Sequence, residues 1–159
     1  MASDAAARHH VVVVGGGFGG LYAARALARD RRVELTLVDR RNFHLFQPLL
    51  YQVATAGLNA ADVAYPVRGM FHRQRNVTFR RGTVTGVDWG RRELQVGSTD
   101  AGVGRVAFHH LVVAAGAVAT WFGVDGAVEH SFPLYTLDDS VALRNHVVER
   151  FEAFAGGQS

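Results

Sequence analysis

The sequence predicts an α/β fold: a parallel sheet, an antiparallel β-meander inserted into it, and a helix at the C-terminal end. Three observations carry this. Short apolar runs rich in β-branched residues, at His9–Val14, Val33–Val38 and Leu111–Ala115, read as strands buried on both faces, as a parallel sheet requires. Glycines follow the first run at once and lead into Leu21–Arg29, where Leu21, Ala24 and Leu27 recur at helical spacing. Strand, tight turn, helix and strand therefore fall within about 30 residues, the length of a βαβ unit.

The remaining elements follow in order. Residues 1–8 are small and polar and are expected to form a disordered tail. Asn42–Asn59 is apolar and aromatic with no clean period, and a loop of that length in a compact domain is functional or partly helical. Ala60–His72 is expected to be a short helix, begun or interrupted by Pro66. Asn76–Val87 and Arg92–Val96 are expected to be antiparallel strands around a turn at Asp88–Gly90, with a second turn at Gly102–Gly104 before Arg105–Phe108. Thr136 followed by Asp138 and Asp139 is a helix N-cap with acids in the first turn, and the helix is expected to run to about Phe154. Residues 156–159 read as a linker-like tail, which leaves 9–155 as one domain.

Composition narrows the chemistry. The 159 residues are 48% hydrophobic and 19% charged, a globular balance. No apolar run is long enough to span a bilayer, and the first residues lack the pattern of a signal peptide. There is no cysteine, which excludes disulfides, thiolate metal sites and cysteine nucleophiles. There is also no lysine, which removes a Walker-type phosphate lysine and Schiff-base chemistry. The net charge of +3 is carried by arginines scattered in pairs without interleaved aromatics, so nucleic acid is not expected as a partner.

The glycine turn is the chemical centre of the sequence. Gly15, Gly16, Gly17, Phe18, Gly19 and Gly20 fit G-x-G-x-x-G: the first glycine lets the strand turn into the helix, Gly17 lets a phosphate approach the backbone, and Gly20 lets helix and strand pack. The helix N-terminus then offers N–H groups and partial positive charge to a pyrophosphate. Asp39, about 20 residues on at the end of the next strand, can accept hydrogen bonds from both ribose hydroxyls and would repel a 2′-phosphate. Arg40 and Arg41 are open to two roles, balancing phosphate charge or forming a solvated loop pair. The turn alone does not separate FAD from NAD, because both present the same ADP half.

The pairs His9–His10 and His109–His110 flank strands, so the members of each are expected to point to opposite faces in structural or solvent roles, and no metal site is expected. His44 is open to two roles, next to a cofactor or in a loop hydrogen bond. Phe43, Phe46 and Tyr51 are expected in the core, and no catalytic side chain is singled out.

Val11–Leu21 with its glycine turn, Thr36–Asp39, the run His44-Leu-Phe-Gln-Pro-Leu-Leu-Tyr-Gln-Val-Ala-Thr-Ala-Gly57, Gly82–Asp88 and Leu111–Gly116 together resemble the start of a type II, non-proton-pumping NADH dehydrogenase. The resemblance covers about His9 to about Ala155, and the run from His44 is its specific part. It implies a Rossmann-like domain in which Gly15–Gly20 with Asp39 and Arg40 hold the ADP part of FAD. It further implies that Val84 meets the adenine through its backbone, that Ala114, Ala115 and Gly116 pass the phosphate and ribitol, and that Gln47, Pro48, Leu49 and Gln52 lie by the isoalloxazine ring. The implied reaction carries hydride from NADH to FAD and electrons on to a respiratory-chain quinone. The family's second, NADH-binding unit and its C-terminal membrane-binding segment have no counterpart here, so the chain is expected to be a fragment. The chain is expected to be cytoplasmic; for the full-length relative the resemblance implies a peripheral place on the cytoplasmic face of the membrane, and a homodimer. The competing expectations are a catalytically inert FAD- or ADP-binding module and an NAD-binding regulatory domain.

Overall fold

The computed structural model describes residues 8–98 and 102–157. Of the expected N-terminal tail only Arg8 lies among them, and of the expected 156–159 tail only Gly156 and Gly157. The elements are β1 (His9–Val14), α1 (Phe18–Leu27), β2 (Val33–Asp39), β3 (Phe43–Leu45), α2 (Leu50–Ala54), β4 (Ala64–Pro66), α3 (Val67–Met70), β5 (Val77–Arg81), β6 (Thr83–Asp88), β7 (Glu93–Ser98), β8 (Gly102–Ala107), β9 (His110–Val113), α4 (Ala127–His130) and α5 (Leu137–Ala155). Short 3₁₀ turns occupy Gln47–Leu49 and Ala60–Val63. The chain divides into two compact units, Met1–His44 with Pro66–Gly116, and Leu45–Tyr65 with Ala117–Ser159.

The first unit is built on a four-stranded sheet in the order β5-β2-β1-β9, all parallel. Alternate residues of the apolar runs serve its two faces. Val11 and Val13 of β1 and Val33, Leu35 and Leu37 of β2 pack with Leu21 and Ala24 of α1 and with Val67 and Phe71. Val12 and Val38 face the other way, onto Leu94, Val96, Val106 and Phe108 of the antiparallel meander β6-β7-β8 and the segment after it. Burial on both sides explains the unbroken apolar run Val11–Val14 of β1. The one polar side chain buried among these strands, Thr36, is satisfied by His10 Nε2 at 2.8 Å.

Three local expectations are corrected. Asn76–Val87 is not one strand but two. Gly82 breaks it: a methyl there would strike Val96 and the Gly97 carbonyl, and its N–H bonds the Asp39 carbonyl at 2.8 Å, so β5 ends in the parallel sheet and β6 starts the meander. Gly102–Gly104 is not a turn but the start of β8, paired with β7; the glycine at 104 makes room for the Arg80 guanidinium, which donates to the Arg105 carbonyl at 3.4 Å. Ala60–His72 is not one helix, because its backbone pairs elsewhere: the Phe46 N–H bonds the Val63 carbonyl and the Val67 N–H bonds the Asn42 carbonyl. What remains helical is the Ala60–Val63 turn, capped by Asn59 and Asp62, and α3.

In the second unit α2 packs on α5, with Leu50 and Val53 fully buried. The predicted N-cap is present: the Thr136 hydroxyl accepts from the Asp139 N–H at 3.2 Å, and the Asp139 carboxylate accepts from the Thr136 N–H at 2.6 Å.

Leu37 has no exposed surface. Leu37→Ala is expected to lower unfolding stability by about 2–5 kcal/mol, read as a fall in the urea midpoint at unchanged slope. At the α1–β2 turn the Asp30 carboxyl is held down to about 2 from 3.8, first by the Arg32 side-chain hydrogen bonds and then by the Arg32 N–H. The folded value lies below the unfolded one, so the pair stabilises above about pH 4 and this is lost as pH falls towards 2. Both partners are exposed, so the effect on stability is small. Carboxyl NMR is expected to give an Asp30 midpoint near 2, rising in Arg32→Ala but staying below 3.8, because the backbone N–H at position 32 still donates.

Candidate functional site

The turn between β1 and α1 is made of approaches that only glycine permits. Gly15 has φ of +102°, and a methyl on it would collide with the Ala114 carbonyl. A methyl on Gly20 would strike the Gly15 carbonyl. Gly17 differs: it is exposed, and a methyl there would meet no atom within 4 Å. This open space adjoins the start of α1, where Gly17 is the N-cap, no side chain caps the helix and no acid stands in the first turn. An N-terminus left in that state presents N–H groups and partial positive charge to an anion.

Asp39 closes the turn from the end of β2. Its Oδ2 accepts from the Gly16 N–H at 2.5 Å and its Oδ1 from the Arg41 N–H at 2.7 Å. Each carboxylate oxygen has two acceptor sites, so capacity for ligand hydroxyls remains. His44 lies on the other side of Gly16: its Nδ1 donates to the Gly16 carbonyl at 2.9 Å, and its ring meets Phe18 edge-on at 5.0 Å. Of the two roles open to His44, the loop hydrogen bond is present, and the loop it holds is the glycine turn. Sequence reasoning missed this contact and the one to Arg41. The histidine, 28 residues away, leaves no spacing pattern; the Arg41 bond is a local Asx turn, two residues on, whose signal is an aspartate at the end of a strand.

The other expected residues of the first unit gather round. The Ala114 N–H bonds the Val14 carbonyl at 2.8 Å, its Cβ stands 3.8 Å from where a Gly19 methyl would be, and Ala115 and Gly116 are exposed, with φ of +77° at Gly116. Val84 is two residues beyond Gly82, whose N–H bonds Asp39, and a β-bulge follows Val84. Arg40 is exposed, and the Arg41 guanidinium stands 5.9 Å from the Phe43 ring centre.

Gln47, Pro48, Leu49 and Gln52 belong to the second unit. Gln47 Nε2 donates to the Tyr135 carbonyl and Gln52 Nε2 to the Tyr51 hydroxyl, both at 3.0 Å; Pro48 is exposed and Leu49 half-buried. Phe46 and Tyr51 are 37% and 53% exposed, against the expectation of core positions; in this short helical stretch Leu50 and Val53 take the inward face instead. The His109–His110 pair also departs from expectation. Both rings meet His9, because His109 precedes β9 and the strand's alternation has not begun. His109 Nδ1 accepts the His10 N–H, so that ring serves the β1–β9 junction. Among the described residues no group of three or more His, Asp or Glu could hold a metal, and no helix is long and apolar enough to cross a membrane.

Residues 9–157 match the pyridine nucleotide-disulphide oxidoreductase family. The chain is 40% identical over 146 residues to the type II NADH:quinone oxidoreductase NdhA of Mycobacterium tuberculosis, covering 92% of this chain and 31% of that protein. It is 30% identical over 161 residues to a type II NADH:quinone oxidoreductase of Staphylococcus epidermidis, covering 99% of this chain and 38% of that protein. It therefore spans about a third of the length of these relatives. Among solved structures, the sulfide:quinone oxidoreductase of Aquifex aeolicus superposes with a TM-score of 0.80 at 23% identity, over 91% of this chain and 32% of that one. Plasmodium falciparum NDH2 superposes with a TM-score of 0.76 at 21% identity, over 86% and 28%. At those identities the likeness speaks for the fold. With the parallel sheet, the glycine turn and the match over 9–157 taken together, the chain belongs to the pyridine nucleotide-disulphide oxidoreductase family.

Proposed function

We propose that this chain is the FAD-binding portion of an NADH:quinone oxidoreductase, with the pyrophosphate of FAD on the Gly15–Gly20 turn. The observation that carries the reading is the open space at Gly17, beside an uncapped helix start and between two glycines that no other residue could replace. That the mycobacterial and staphylococcal relatives are NADH:quinone oxidoreductases supports the choice of reaction. NADH, a quinone and attachment to a membrane surface are proposals for the complete protein.

The residues present fit the group. The N–H groups at the start of α1 would donate to the phosphates, and Asp39 would accept from ribose hydroxyls while keeping its bond to Gly16. Arg40 would offset phosphate charge, the backbone at Val84 would meet the adenine, and Ala114, Ala115 and Gly116 would hold the phosphate and ribitol side. When bound, the flavin supplies the acceptor that takes hydride from NADH and passes electrons to a quinone. The chain's own part is to bind and orient it, which is why the absence of cysteine and lysine is no obstacle.

Purified protein freed of flavin is expected to bind one FAD saturably, followed by flavin fluorescence; folded protein that ignores FAD would overturn the reading. Two glycine variants separate architecture from binding. Gly20→Ala is expected to lose more than about 3 kcal/mol of stability, because backbone occupies the space its methyl needs. Gly17→Ala is expected to unfold within about 0.5 kcal/mol of the wild type without ligand, yet to bind FAD at least about tenfold more weakly.

A further inference from the structure

Gly16 is held at both ends from within the first unit. Its N–H is bonded to Asp39 and its carbonyl to His44. A carbonyl oxygen only accepts, so the His44 Nδ1 carries a hydrogen. The ring is 5% exposed and is fixed further by the edge-on contact with Phe18 at the first position of α1. In a planar trans peptide the C=O and the following N–H point in opposite directions. A Gly16 carbonyl drawn onto a buried imidazole therefore turns the Gly17 N–H away from that ring; Gly17 itself is exposed, and a methyl on it would meet no atom within 4 Å.

We infer that His44 is a positioning residue for dinucleotide binding: by anchoring the Gly16 carbonyl it sets the Gly16–Gly17 peptide with its N–H outward, as a donor to the pyrophosphate. The inference rests on the FAD reading above. The need for it follows from the turn's composition. Glycine adopts positive and negative φ about equally well, so a run of three glycines that opens a cradle also lets its peptides rotate. His44 removes that freedom at the one peptide that precedes the open position. Its donor matters more than its bulk.

The test compares FAD titrations of the wild type, His44→Asn and His44→Leu, with circular dichroism to establish folding. The Asn side-chain nitrogen occupies the δ position and can donate to Gly16; Leu fills similar space and cannot. His44→Leu is expected to bind FAD about tenfold more weakly, and His44→Asn to stay within about threefold of the wild type. In the wild type the Gly17 amide proton is expected to shift downfield as FAD saturates. Equal affinities in wild type and His44→Leu overturn the inference and leave the FAD reading standing, as do equal losses in the two variants. An unmoved Gly17 amide in FAD-saturated wild type overturns it even if His44→Leu does not fold. A folded wild type that binds no FAD overturns the FAD reading itself.

Discussion

The structure of the first unit depends on two steric approaches at one corner. The Ala114 carbonyl occupies the space of a Gly15 side chain, and the Gly15 carbonyl occupies that of a Gly20 side chain. Stacked in this way, the end of β9, the end of β1 and the first turn of α1 come as close as backbone can. The closeness fixes where the helix starts and how its axis meets the sheet. Everything proposed for the site inherits this geometry, because donors at a helix start bind well only when they are held before the ligand arrives.

Polar contacts then add direction to the steric frame. Asp39 is both the end of β2 and a clamp on Gly16, so the strand neighbouring β1 in the sheet also orders the turn. An ionised carboxylate accepting from backbone N–H makes a stronger bond than a neutral pair. It also places negative charge at the edge of a helix N-terminus without blocking it, since the helix's own first turn carries no acid. His44 approaches from the segment after β2 and binds the same glycine from its carbonyl side. Two side chains distant in sequence thus hold one residue that has no side chain.

The legibility of these features follows from the range of the forces involved. β1, α1 and β2 were readable because burial on both faces and helical spacing leave a local imprint, and Thr136 because a cap acts within one turn. Gly15–Gly20 and Asp39 were readable because the motif's spacing encodes its packing. The meander boundaries were not: Gly82 reads as the interior of one strand yet ends it beside Val96, and Gly104 reads as a turn yet lies in a strand and makes room for Arg80. Residues 60–72 were misjudged for the same reason, their backbone partners lying at Asn42 and Phe46. The His44 contact with Gly16 is a tertiary contact with no periodic trace.

The position of Ala114 has a consequence for the order of assembly. The wall that Gly15 leans on comes from a strand whose junction with β1, at His10 and His109, joins residues 99 apart. Until β9 docks, nothing presses on Gly15, and a turn of three glycines has little reason to hold one shape. Closing so long a loop is entropically costly and slows folding in chains rich in non-local contacts. The cradle is therefore a late product of folding. On the ribosome it cannot close until Ala114, made well after the glycines it walls in, has emerged.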